Sequence, residues 1–558
     1  MSEKQPAAPA RNRRSWHRKA SKPVSLWLVS LVVAGLIHPI IPEYRWVLIH
    51  IFTLGAVTNS ILIWSQYFTE KFLNLRLPED TRPGQLLRIR ILNAGILLTL
   101  AGQMLSGMWE RSWIITQVGA AVVALILLWH AVSLARQFFR AERGRRFRSA
   151  VVAYVLSALC LPVGAVFGAI LATGPGGGWH ERLLFGHLVA NLLGFLGLAA
   201  IGSLVVLFPA IWRTRGGPDR TAVVVALAAG GVALAITAAL LDHAPLFGIG
   251  LLLHAAGWVV AGVGWAGNVI TVLKDPRDRV SFAAVSIACA PLWLVGTLIY
   301  LAVQSFLTGP HLNEVAVPSI PLLVGFAGQL LIGVMSHLLP STIGGGAGPL
   351  RASSRELNRG ALLRSTLING GLVFWLLADS SWLKIFMSLL SIGSLAVFVV
   401  LLPRGVRAQA AVLRGAAEAP PIPENPKPRT NQITAALAVL ALILGAFGGL
   451  GGPAAVTPVA PQPASSAGNV TEVDVIAGDM VFEPSQVTVP AGNQLIITLR
   501  NEDGTAHDLR LGNGIRSGRL VPGQEIRIDA GVITADLAGW CTIAGHHTRG
   551  MTFDILVG

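Results

Sequence analysis

Apolar residues come in unbroken runs over most of this chain, and the runs have the length of membrane-crossing helices. At a rise of about 1.5 Å per residue, about 20 apolar residues are needed to cross a hydrocarbon core of about 30 Å. Thirteen such runs are predicted, at 24–41, 44–66, 88–108, 112–135, 149–173, 181–211, 221–241, 247–273, 281–306, 316–340, 359–378, 382–402 and 431–451. Beyond residue 470 the pattern changes to short alternating stretches, "TEVDVIA", "MVFEP", "QVTVPAG", "QLIITLR", "HDLRL", "EIRIDAG" and "MTFDILV", separated by Gly, Pro, Asn and Asp. Period-two alternation marks strands with one buried face, and seven of them in 88 residues predict an all-β Greek-key sandwich. The expected division is a basic N-terminus at 1–23, a polytopic α-helical membrane bundle at 24–451, a Pro/Ala/Ser-rich extended linker at 452–470 and a β-domain at 471–558.

Composition agrees with that division. Of 558 residues, 53% are hydrophobic and only 13% charged, with a mean hydropathy of +0.62, far from the balance of a soluble protein. Cytoplasmic loops retain an excess of Lys and Arg. With the start "RNRRSWHRKASK" inside, the basic loops "EKFLNLRLPEDTRPGQLLRIR", "RQFFRAERGRRFR" and "KDPRDR" fall inside as well. Thirteen crossings then place the β-domain outside the cytoplasm, in a protein of the plasma membrane. The first run lacks a small-residue cleavage site and is long enough to span, so it is expected to be a retained anchor. The formal charge of +15 is unevenly divided, since residues 471–558 hold six Lys or Arg against eleven Asp or Glu, a net of −5 that leaves +20 for the rest. Inward loops and attraction to anionic membrane lipid account for that excess, and nucleic acid is not an expected partner.

Three cysteines occur, Cys160 and Cys289 within predicted helices and Cys541 in the β-domain. One cysteine cannot form a disulfide framework, and an unpaired thiol in an oxidising compartment points to a bound metal. Cys541, His546 and Met551 are spaced C-x4-H-x4-M, and His507 lies 34 residues upstream of the cysteine. Two imidazoles and a thiolate in a trigonal plane, with a weak axial thioether, make a type 1 copper site for electron transfer. The three late ligands are predicted to share one loop, with His507 on a neighbouring strand. The spacing favours His546 over the adjacent His547, which is read as solvent-facing, and Trp540 is read as core packing on the opposite strand face.

These residues, with "MVFEPSQVTVPAGNQLIITLRNED" as opening strands, resemble the cupredoxin family over the whole tail. The resemblance implies copper and electron transfer. Multicopper oxidases and copper nitrite reductases link their type 1 cysteine to a second copper through an adjacent histidine, whereas Cys541 stands between Trp540 and Thr542. An electron-transfer component is therefore expected rather than a stand-alone enzyme.

In the helical part, His50, His187 and His254 each lie six or seven residues inside the outer ends of their runs, at one expected depth. Ionisable side chains in lipid usually face a cavity, a partner or a ligand. These three are the candidate ligands of a haem or second copper; His38, His243, His547, His130 and His337 are secondary candidates. The stretches "HIFTLGAVTNSILIWSQYFTEKFL", the His187 segment and "GQLLIGVMSHLLP" resemble polytopic actinobacterial proteins described as multicopper-oxidase- or nitrite-reductase-like. More distantly they resemble NnrS-type proteins and haem-copper oxidase subunit I.

The expected function is thus membrane-bound, single-electron copper chemistry with a redox partner outside the cytoplasm or in a respiratory chain. Copper transport or sensing, and a part in a nitrogen-oxide or oxygen reductase, are the alternatives. Cys541→Ser should abolish the thiolate-to-copper absorption while leaving membrane insertion intact. A variant that keeps the blue colour would contradict the ligand assignment.

Overall fold

The computed structural model describes residues 11–448, apart from 107–108, 176–177, 313–314, 379–380 and 423–425, and residues 469–558, apart from 505–506, 519, 544–545 and 547–549. The chain divides into two units, one holding the helices and one the β-domain. Most of the expected linker at 452–470 lies outside the described residues.

Eleven helices among the described residues are long and apolar enough to cross a membrane, or twelve if a pair bent by 41° forms one crossing. The thirteenth expected run appears as a shorter apolar helix, Thr430–Ala446. Every predicted run thus coincides with a helix, though not every helix has the predicted length.

In chain order the first twelve of these apolar spans fall into three successive sets of four, and the shorter helix Thr430–Ala446 follows them. In the first set are α1 (Arg11–Leu36), α2 (Tyr44–Phe72), α3 (Arg82–Met104) and α4 (Trp113–Arg140). The second set comprises α5 (Arg148–Leu171), α6 (Trp179–Trp212), α7 (Thr221–Leu240) and α8 (Ala244–Leu273). In the third are α9 (Phe282–Leu307), α10 (Pro321–Ile343), the bent pair α11 (Ala347–Leu357) and α12 (Ala361–Leu377), and α13 (Ser381–Leu413). The second crossing of each set carries a π-helical segment, at Ile51–Thr58, Val189–Gly197 and Pro321–Gly328. Such wide turns are rare and concentrate at functional positions. These three helices line one apolar cavity through Val57, Trp64, Leu196, Leu204, Leu331 and Met335.

Hydrogen bonding shows that the first and third sets repeat one design. Trp27 on α1 donates its indole N–H to Asn93 Oδ1 on α3 at 2.6 Å, and Asn93 exchanges amide bonds with Asn59 on α2 at 2.9 and 3.1 Å. Trp293 on α9 likewise donates to Asn369 Oδ1 on α12 at 2.8 Å, and Asn369 exchanges bonds with Gln329 on α10 at 3.0 and 3.2 Å. Each tryptophan packs on the π segment where a glycine makes room, because a Cβ at Gly55 or Gly325 would come within 2.6 Å of the Trp27 or Trp293 ring. The matching sequence is short: "LWLV" at 26–29 and 292–295, and R-x4-N-x-G from Arg88 and from Arg364. In the middle set Gly194 packs against Cys160 in the same manner, and Ser157 donates to the Phe195 carbonyl. Polar side chains within an apolar bundle must find partners among themselves, so these amide clusters fix which helices are neighbours.

The β-domain is built from two four-stranded sheets. One has the order β2-β1-β4-β6, with β1 at Val470–Gly478, β2 at Val481–Glu483, β4 at Gln494–Asn501 and β6 at Glu525–Val532. Its partner has the order β3-β8-β7-β5, with β3 at Gln486–Val489, β5 at Arg510–Leu511, β7 at Leu537–Trp540 and β8 at Thr552–Val557. Strands β1 and β4 run parallel, as do β3 and β8. Alternate residues point inward, so Val475, Phe482, Leu495, Ile497, Leu499, Ile528, Phe553 and Ile555 form one core. Each such side chain contributes about 1.5–3 kcal/mol by leaving water. Among the described residues eight strands appear where seven were expected; the additional one is β7.

Asn93→Leu and Asn369→Leu should each leave an indole N–H and a neighbouring amide without their partner, costing about 1–3 kcal/mol. Both should lower the thermal unfolding midpoint of the detergent-solubilised protein by similar amounts, and an unchanged midpoint in either would contradict the shared design.

Candidate metal centre

The β7–β8 pair positions the centre. Trp540 pairs with Thr552 in antiparallel register, so the chain leaving β7 at Cys541 and entering β8 after Met551 closes into a short loop. Backbone bonds tighten it: Cys541 N–H donates to Met551 O at 3.2 Å, Met551 N–H to His546 O at 3.2 Å, and His546 N–H to Ile543 O at 3.1 Å. Cys541 and Met551 are both fully buried in the sandwich core.

His507 arrives from a different segment. The sequence reading set it on a strand, but it lies three residues before β5 and forms an isolated antiparallel bridge with Leu520 instead. His507 N–H donates to Leu520 O at 3.0 Å, and Leu520 N–H donates back to His507 O at 2.7 Å. Asn501 Nδ2 also donates to Leu520 O, at 3.0 Å. Because β5 pairs with β7, this bridge delivers His507 beside Cys541.

The three side chains converge. His546 Nδ1 lies 3.1 Å from His507 Nδ1 and 3.5 Å from Cys541 Sγ, and all three ligand atoms lie within 4.8 Å of one another. An ion bound at about 2.0 Å to imidazole and about 2.3 Å to thiolate in a trigonal plane sets nitrogens about 3.5 Å apart and nitrogen from sulfur about 3.7 Å. The two separations from His546 Nδ1 are a few tenths of an ångström tighter, and the remaining pair, His507 and Cys541, lies within 4.8 Å. Burial pushes the Cys541 thiol up to about 12, so a cation at this point would have to displace its proton. The donor set of two imidazoles and one thiol, with a buried thioether carried on the same loop, fits a type 1 copper ion.

Two carboxylates that the sequence reading passed over brace the site. Asp503 Oδ2 accepts the Nε2–H of His507 at 2.9 Å, which places the lone pair of that ring on Nδ1. Asp508 accepts both the backbone N–H and the hydroxyl of Thr542, tying the His507 segment to the residue after the cysteine. The signal for both lay in their spacing, four residues before and one after a ligand histidine. Trp540 is half-buried beneath the Arg510 guanidinium, 5.7 Å from its ring centre, rather than in the core. His547 lies outside the described residues.

Among the helix histidines, His50 and His187 come together, with ring centres 6.2 Å apart. Their Nδ1 atoms bond to the carbonyl oxygens of Trp46 and Gly164, each at 2.8 Å, so each Nδ1 carries the proton and each Nε2 the lone pair. Each also stands beside a π segment, His50 immediately before Ile51–Thr58 and His187 two residues before Val189–Gly197. His254 does not share this arrangement. Its Nδ1 bonds to Ala228 O at 2.9 Å and its Nε2 accepts from Trp258 at 3.1 Å, which leaves neither nitrogen for a metal. His130 is engaged in the same way by Ser65 at 2.8 Å and Arg88 at 3.2 Å. His243 caps α8 by accepting from Leu246 N–H, His38 bonds to Gly35 O, and His337 is exposed on α10.

A family model of the cupredoxin-like domain matches residues 453–535, a stretch that contains His507 and stops before Cys541. No curated protein matches the chain. Among solved structures, a dithionite-reduced auracyanin from the photosynthetic bacterium Roseiflexus castenholzii is 16% identical, covering 16% of this chain and 99% of its own, with a TM-score of 0.15. Auracyanin B is 17% identical, covering 16% of this chain and 96% of its own, with a TM-score of 0.15. The chain is a many-helix apolar unit followed by a C-terminal domain of cupredoxin-like fold.

Proposed function

We propose that this protein is a membrane-bound single-electron carrier, its C-terminal domain holding type 1 copper through His507, Cys541, His546 and Met551. The observation that carries this reading is the buried meeting of His507 Nδ1, His546 Nδ1 and Cys541 Sγ at 3.1 and 3.5 Å. When bound, copper would supply a one-electron couple between cupric and cuprous states, with no covalent bond in the protein made or broken. The chain itself holds the ligands fixed: β7–β8 register, the loop bonds and the Asp508 clamp leave little to rearrange when the charge changes. The core excludes water from the cysteine and the methionine.

In this reading Thr430–Ala446 is the thirteenth span and the domain lies outside the cytoplasm of a plasma-membrane protein; support comes from the positive-inside charge pattern. It exchanges electrons with a haem or copper centre held by His50 and His187. Support for that second centre comes from the two fixed tautomers, the 6.2 Å ring separation and the adjoining π segments. His254 serves as a packing residue in this reading. The redox partner is a protein outside the cytoplasm or a component of a respiratory chain.

An oxidised-minus-reduced visible spectrum of the detergent-purified full-length protein, with copper and iron counted on the same sample, tests both parts. One copper per chain with a thiolate-to-copper band is expected, together with a second metal that His50→Ala and His187→Ala each remove without changing that band. Absence of the band in the copper-loaded protein would overturn the carrier reading. A band with no second metal would remove the membrane centre and leave a tethered carrier.

A further inference from the structure

The carboxylate beneath His507 has a geometry that ordinary packing does not require. Asp503 is held by its own turn, where Asp503 N–H donates to Asn501 Oδ1 at 3.0 Å and Gly504 N–H donates to Asp503 Oδ1 at 2.6 Å. With one oxygen so occupied, the other is directed at the His507 ring and takes its Nε2–H at 2.9 Å. The histidine side chain is 0% exposed and the aspartate 21%, so the interaction is largely shielded from water. Asp508, the neighbouring carboxylate, directs both oxygens to Thr542. Of the two, Asp503 alone bonds to a ligand ring.

Resting on the type 1 copper reading above, we propose that Asp503 is a positioning residue that lowers the reduction potential of the copper site. Two effects act in the same direction. The hydrogen bond fixes the proton on Nε2 and makes Nδ1 a stronger donor, as a carboxylate behind a ligating histidine does. Its negative charge, poorly screened in a shielded site, favours the more positively charged oxidised state. The electron balance is simple: one electron enters from a reduced one-electron partner when the site is reduced, and leaves to an oxidised one when it is reoxidised.

The test is a redox titration of the thiolate-to-copper band in the full-length, detergent-purified protein against a one-electron mediator, for wild type, Asp503→Asn and Asp503→Glu. Asparagine keeps an oxygen to accept the Nε2–H and removes the charge, whereas glutamate keeps the charge. For Asp503→Asn the equilibrium should move at least about tenfold toward the reduced site, about 59 mV for a one-electron couple, with the blue band retained. The Asp503→Glu protein should stay within about threefold of wild type. As a second readout, Asp503→Ala should bind copper about 10–100-fold more weakly. An Asp503→Asn protein that is blue and titrates like wild type would overturn the proposal. So would one that loses its blue band, because the residue would then serve site assembly and not potential. Failure of the copper reading itself is distinguishable, since the wild type would then show no band to titrate.

Discussion

Two imidazole nitrogens and a thiol sulfur meeting inside a β-sandwich are the constraint around which the C-terminal domain is arranged. Such polar atoms are costly to bury, and the approach of His546 Nδ1 to both His507 Nδ1 and Cys541 Sγ draws three atoms of lone-pair character to one point. A cation there turns that cost into binding. Everything nearby serves to hold the approach: the β5–β7 and β7–β8 registers bring the segments together, backbone bonds close the Cys541–Met551 loop, and the apolar core seals the sulfur atoms from water.

The helical unit answers a related constraint by different means. Where water is absent, amides and indole N–H groups must bond to each other, and the Trp27–Asn93–Asn59 and Trp293–Asn369–Gln329 clusters do so at matching places in the first and third sets of helices. Glycines beneath each tryptophan permit the approach. π-helical turns on α2, α6 and α10 then shift the register of the helices that line the shared cavity. His50 and His187 stand beside two of those turns, where the backbone carbonyls of Trp46 and Gly164 fix their tautomers.

Much of this was legible in the sequence, and the rest was not for identifiable reasons. Apolar run length located the long helices because a helix long enough for a hydrocarbon core leaves an unbroken apolar run, and period-two alternation located most strands because one face of each is buried. Strand β7 escaped because "LAGW" at 537–540 has four residues with no alternation to detect. The C-x4-H-x4-M spacing placed three candidate ligands on one loop, since a ligand loop is local in sequence. His507 was found by residue type, but its bridge to Leu520 and its bond to Asp503 depend on tertiary pairing. The repeat of helix sets escaped as well, because outward-facing positions tolerate any apolar residue and short matches such as "LWLV" and R-x4-N-x-G are easily missed, with Asn59 answered by Gln329. Depth counting grouped His254 with His50 and His187, yet depth carries no information about which way a ring points or that Trp258 lies against it.

X-ray absorption at the copper edge tests most directly whether one copper ion binds among His507, Cys541 and His546. For the copper-loaded full-length protein with His50→Ala and His187→Ala in place, so that only the C-terminal site contributes, the account predicts two nitrogen neighbours at about 2.0 Å and one sulfur at about 2.3 Å or slightly less. A first shell of nitrogen and oxygen alone, with no short sulfur, would contradict it.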